Sequence, residues 1–149
     1  MEMFLQQLVN GLSLGSIYAL IALGYTMIYG IIGLINFAHG DVYMVGAFFG
    51  FWLITGLGMN ILPALILTMI FTAILGVIIE RVAYKPLRKS TRIAALITAI
   101  GVSYLLQNFM IYYVGPEVRA FPTSLPNLSL DLGLFTISTQ QVVIFTVTI

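Results

Sequence analysis

From Met3 to Ile79 the chain carries one aspartate, one histidine and no lysine, arginine or glutamate. That long uncharged reach constrains the fold more than any motif does. Each charge placed at the bilayer centre costs about 2.5–3.5 kcal/mol on insertion scales, so membrane-embedded segments shed them. Composition points the same way. Only 7% of the residues are charged and mean hydropathy is +1.08, against about 25% charged in soluble domains. At about 20 residues per helical span, the 149 residues make room for roughly five spans. The expected fold is an all-α integral membrane protein. It has about four complete transmembrane helices and the start of a fifth, a helix break near 30–41 and a small extracytoplasmic loop or hairpin.

The spans follow in order. The first, about 4–29, is rich in small residues, and its Gly11 and Gly15 form a GxxxG that lets another helix backbone approach closely. After the break comes a second span, about 41–54, where Gly46 and Gly50 repeat that spacing. Thr55 to Asn60 reads as a turn. Pro63 then sits in the first turn of a third span, about 61–79, where proline costs least.

Five of the six lysines and arginines lie between positions 81 and 92: Arg81, Lys85, Arg88, Lys89 and Arg92. The positive-inside rule places this loop, 80–92, in the cytoplasm. The same charges suit acidic lipid at a membrane surface. The fourth span, about 93–113, then runs outward. Counting back puts the N-terminus outside, with the Asn36–Asp41 break near the cytoplasmic side or part-way into the membrane. Gln107 and Asn108 are expected in a hydrated position near the outer end of the fourth span.

The segment 114–139 is the one long stretch outside the membrane, read as periplasmic and punctuated by Pro116, Pro122 and Pro126. Within it Leu128 to Leu134 alternates with period two, as a strand does. It forms either a small external hairpin that meets a partner or a lid packed over helix ends. From 140 to 149 a fifth apolar run begins, too short to cross a bilayer as a helix. The chain therefore reads as a single transmembrane domain, 1–149, that belongs to something longer.

The break holds the candidate site. Gly30, Gly33 and Gly40 supply backbone freedom around Asn36, His39, Asp41 and Tyr43. Two roles stay open. Asp41 caps the second helix and Asn36 caps a short turn, or these side chains shape a translocation path or its gate.

Several chemistries are excluded or disfavoured. With no cysteine there is no disulfide and no thiolate metal site. Lys89-Ser90-Thr91 lacks the upstream glycines of a phosphate-binding loop. One histidine does not build the usual zinc site, and no G-x-S-x-G elbow is present. No metal and no cofactor is expected in this chain. A net charge of +1 gives no reason to expect nucleic acid.

Four stretches carry a resemblance. They are Ile35-Asn36-Phe37-Ala38-His39-Gly40-Asp41 with Tyr43-Met44-Val45-Gly46-Ala47, Leu5 to Leu12 with Gly15 to Leu20, Glu80 to Arg88, and Ile97 to Ser103. Together they are similar to the permease subunits of bacterial high-affinity branched-chain amino acid ABC importers, and to the N-terminal half of such a subunit. The resemblance implies a permease in the bacterial inner membrane that alternates access to leucine, isoleucine or valine. It implies a second permease subunit, two ATP-binding subunits that hydrolyse ATP, and a periplasmic substrate-binding protein, with membrane lipid around them. Urea and short-amide importers carry similar permeases, and a passive facilitator is a further alternative. The resemblance carries over the position of the break motif and no role for its residues.

Overall fold

The computed structural model describes residues 1–117, 129–131, 133 and 136–149. In chain order the helices are α1 (Glu2–Ile32), α2 (His39–Leu57), α3 (Ile61–Ile79), α4 (Arg92–Val114) and α5 (Thr139–Thr148). Two short strands, β1 (Ser129–Asp131) and β2 (Thr136–Ser138), pair antiparallel with Leu130 opposite Ile137. Four helical segments are long and apolar enough to cross a membrane: Glu2–Ile32, His39–Leu57, Ile61–Leu87 and Arg92–Val114. At 1.5 Å per residue α1 is about 46 Å long, more than a bilayer core, so it suits a tilted or overhanging span. The protein is a multi-pass membrane protein. Its outer surface shows this directly: Leu62, Ile66, Met69 and Ile70 of α3 are all exposed, as lipid-facing side chains are.

The helix limits differ from expectation in an instructive way. α2 runs on through Thr55 and Gly56 and stops at Gly58, whose φ of 62° is left-handed. The N–H groups of Gly58 and Met59 both donate to the Leu53 carbonyl, closing the last turn. The break is also narrower than 30–41. Gly30 is still in α1 and Gly40 already in α2, so of the three candidate glycines only Gly33, with φ of 70°, supplies a turn. Of the strand expected over Leu128–Leu134, Ser129–Asp131 forms β1, and Leu128, Leu132 and Leu134 lie outside the described residues. Pro122, Pro126 and the rest of 118–128 lie outside the described residues.

Contacts gather into two units, Met1–Thr26 with Thr123–Ile149, and Met27–Pro122. In the first, the Gln6 amide grips the backbone of β2. Its Nε2 donates to the Thr136 carbonyl at 3.1 Å, and its Oε1 accepts from the Thr136 N–H at 2.8 Å. Gln141 of α5 donates to Asn10 at 2.9 Å. A capping box between Ser138 and Gln141 starts α5. Gly11 and Gly15 line a shallow groove with Leu8, Ser16 and Thr148, and among the described residues no side chain lies within 4 Å of where their Cβ atoms would be.

The second unit is held by a glycine–threonine interlock between α2 and α3. A Cβ on Gly46 would lie 2.5 Å from Thr72 Cγ2, and one on Gly50 would lie 3.1 Å from Thr68 Oγ1. The threonine hydroxyls are satisfied within their own helix: Thr68 donates to the Ala64 carbonyl and Thr72 to that of Thr68. Phe49 stacks on Phe71 beside them at 4.0 Å between ring centroids. A small core of Ile79, Tyr84 and Ala99, flanked by Val42, Leu75 and Leu106, joins α4 to this pair.

The two glycine pairs should therefore respond in opposite ways. Gly46→Val forces the Thr72 methyl aside and is expected to cost about 1–3 kcal/mol of stability. Gly11→Ala should be neutral or stabilising by about 0.5–1 kcal/mol, since it removes helical glycine without a clash. Thermal unfolding of the detergent-purified chain measures both. Equal destabilisation by the two changes would refute the asymmetry.

Candidate functional site

α1 ends where Gly33 turns left-handed, its N–H donating to the Tyr29 carbonyl at 2.8 Å. The next five residues are held by Asn36. Its Oδ1 accepts from the Ala38 N–H at 3.0 Å, a local turn of the kind asparagine favours. The same oxygen accepts from the Tyr84 hydroxyl at 2.6 Å. Tyr84 is buried, and it reaches Asn36 from a π-helical turn, Glu80–Tyr84, that widens the end of α3 before a 3₁₀ turn over Lys85–Leu87. Such widened turns recur at functional sites. Ala38, at the mouth of α2, is fully buried. Protein covers the break at Ala38 and in part at Asn36, while Ile35 and Phe37 are exposed, and non-helical backbone in lipid needs such cover.

Asp41 does not cap α2. The capping position is Ala38, whose methyl group cannot accept a hydrogen bond. Asp41 reaches across to α4 instead. Ser103 donates to its Oδ2, and Gln107 Nε2 donates to its Oδ1 at 3.0 Å and to Ser103 Oγ at 3.2 Å. Ser103 and Gln107 stand four residues apart and so share one face of α4. That spacing is visible in the sequence, and so is the oddity of two polar residues in an apolar span. What the sequence does not reveal is that both face Asp41, and Gln107 is therefore not simply a hydrated residue at a helix end.

Depth along α4 sets the character of this cluster. From Arg92 to Ser103 the helix rises about 16 Å. That rise equals about half the thickness of a hydrocarbon core roughly 30 Å thick. A carboxylate there needs donors, and it has two. His39 opens α2 half-buried beside the break, whereas Tyr43 is exposed on α2. Asn36 and Asp41 meet polar side chains on other elements. Ser103, Gln107 and Tyr84 join them. Among the described residues no group of three metal-ligating side chains comes together. The arrangement is suited to binding and exchanging hydrogen-bonding groups. Of the basic residues, Arg88 pairs with Glu80, and Arg81, Lys85, Lys89 and Arg92 are exposed.

Asn36 accepts two bonds and Tyr84 supplies one of them, so their losses should rank. Tyr84→Phe is expected to cost about 0.5–1.5 kcal/mol. Asn36→Ala also orphans the Ala38 N–H and should cost more, about 1–3 kcal/mol. Melting of both variants in the same detergent tests the order, and an equal cost would mean that the turn bond contributes nothing.

The chain was compared with known proteins. The family described as "Branched-chain amino acid transport system / permease component" matches residues 7–149. The high-affinity branched-chain amino acid transport system permease protein BraD of Pseudomonas aeruginosa is 48% identical over 97% of this chain. The permease proteins LivH of Salmonella typhimurium and Escherichia coli K12, of the same named system, are 47% and 46% identical over the same share. In each case the match takes in 51% of the relative, so the chain spans about half the length of the curated relatives it matches. No solved structure matches it. With a family match over nearly its whole length, and polar residues meeting between helices that suit a membrane, this chain belongs to the permease components of branched-chain amino acid transport systems.

Proposed function

We propose that this chain works as part of an ATP-driven importer's permease and moves leucine, isoleucine and valine across the bacterial inner membrane by alternating access. The observation that carries the reading is close to one-half identity, along almost the entire chain, to three proteins named as permeases for those amino acids. In this proposal a second permease subunit, two ATP-binding subunits and a periplasmic binding protein complete the machine, and ATP is hydrolysed by the ATP-binding subunits. The basic loop, 80–92, faces the cytoplasm, and the N-terminus lies outside. α1, α2, α3 and α4 together form one transmembrane domain with the rest of the chain.

The Asp41–Ser103–Gln107 cluster and the Asn36 turn are proposed to line the path or its gate. The physical case rests on exchange. Ser103 and Gln107 donate to Asp41 in the structure. Each such bond is worth about 1.5–3 kcal/mol when one partner is charged. A solute or water entering between α2 and α4 can replace one donor by another without leaving the carboxylate bare. Discontinuous helices serve transporters in this way.

A chimera tests both levels. This chain replaces the matched half of the Escherichia coli permease in cells that supply the other importer subunits, and uptake of labelled leucine is measured. The chimera is expected to restore leucine uptake. Entry of urea or a short amide in its place would overturn the substrate assignment. In the same chimera Asp41→Ala should lower uptake about tenfold, equivalent to about 1.4 kcal/mol, with membrane abundance little changed. A parallel fall of uptake and abundance would reduce Asp41 to a packing role. Orientation has its own test, made simple by the absence of native cysteine. A cysteine at Ser90 should react with an impermeant reagent only from the cytoplasmic side, and labelling from outside would invert the topology.

A further inference from the structure

The basic residues at the end of α3 and the start of α4 do more than set orientation. Arg88 forms an ion pair with Glu80. That pair removes one positive charge and the single acid of this loop. Arg81, Lys85, Lys89 and Arg92 are left exposed in a segment with no other carboxylate. The charge is concentrated by the backbone. The π-helical turn, the 3₁₀ turn and the Thr91 cap of α4 fold the whole loop into a compact connection, with Thr91 Oγ1 accepting from the Ala94 N–H.

Apolar surface runs right up to these charges. Val82 is 73% exposed and Ile93 70%, and Val77, Ile78 and Ile97 are exposed behind them on the two helices. The buried side chains of this region, Ile79, Tyr84 and Ala95, face the other way, into the protein. A ligand that fits this surface has an anionic head and long apolar tails joined to it. A soluble anion would use the charges and leave Val82 and Ile93 in water. We propose that the surface formed by Arg81, Lys85, Lys89 and Arg92 with Val82 and Ile93 is a binding site for anionic phospholipid, its phosphate held by the cations and its acyl chains lying on the apolar flank. Clustered cations at the end of a span are suited to this task. The proposal requires only that the chain sits in a membrane, and is independent of what it transports.

Native mass spectrometry of the detergent-purified chain tests it, with phosphatidylglycerol and phosphatidylcholine of identical acyl chains added at matched concentrations. Retention of phosphatidylglycerol over phosphatidylcholine is expected. Lys85→Gln with Lys89→Gln should weaken it about fivefold per charge removed, and Lys85→Arg with Lys89→Arg should preserve it. Far-UV circular dichroism checks that each variant keeps its helices. Soluble glycerol phosphate should fail to displace the lipid at equal concentration. Equal retention of the two lipids would overturn the site, as expected of a patch that recognises an acidic protein surface. So would phosphatidylglycerol binding that survives loss of both lysine charges, or displacement by the soluble phosphate.

Discussion

A carboxylate half-way through a bilayer has to be given partners by the protein, because lipid offers none. Asp41 stands between two helices that each suit a membrane span, and its partners come from the second unit. α4 brings Ser103 and Gln107 to it from one face. The core of Ile79, Tyr84 and Ala99 holds α4 at the distance that makes this possible. Behind it, Asn36 shapes the turn that leads into α2, and Tyr84 pins that turn. The apolar contacts place the helices, and the polar contacts determine where the non-helical backbone can be tolerated.

The loop at the other end of α4 follows the opposite rule. There, charge is allowed to face outward, and the backbone is tight instead of open. A π-helical turn gives way to a 3₁₀ turn within a few residues. The wide turn aims Tyr84 inward at Asn36, and the narrow one reverses the chain toward α4. One short connection therefore supplies both a buried anchor and an exposed basic surface.

Much of this was legible in the sequence, for reasons that differ by residue. Long uncharged runs fix the number of spans, since insertion energy acts on every residue of a window. Boundaries were harder. Gly56 and Gly58 are equally good helix stops by composition, and only the closure onto Leu53 selects Gly58. Gly30, Gly33 and Gly40 looked alike, yet one alone needs a left-handed φ. Asn36 was readable as a turn former because its bond is local. Asp41 was not readable as a partner of α4, because sixty-two residues separate it from Ser103. The Ser138–Gln141 capping box was in plain view as S-x-x-Q and is the signal that α5 begins where it does.

The glycine–threonine interlock has a mechanical consequence. With Thr72 Cγ2 lodged where a Gly46 Cβ would stand, and Thr68 against Gly50, α2 and α3 cannot glide lengthwise past one another without first separating. They behave as one girder. The seam between α2 and α4 is built differently, from exchangeable hydrogen bonds around a single carboxylate. Any shear within this unit is therefore channelled away from the girder and onto the seam, so the part of the structure that resists sliding decides which part is free to yield.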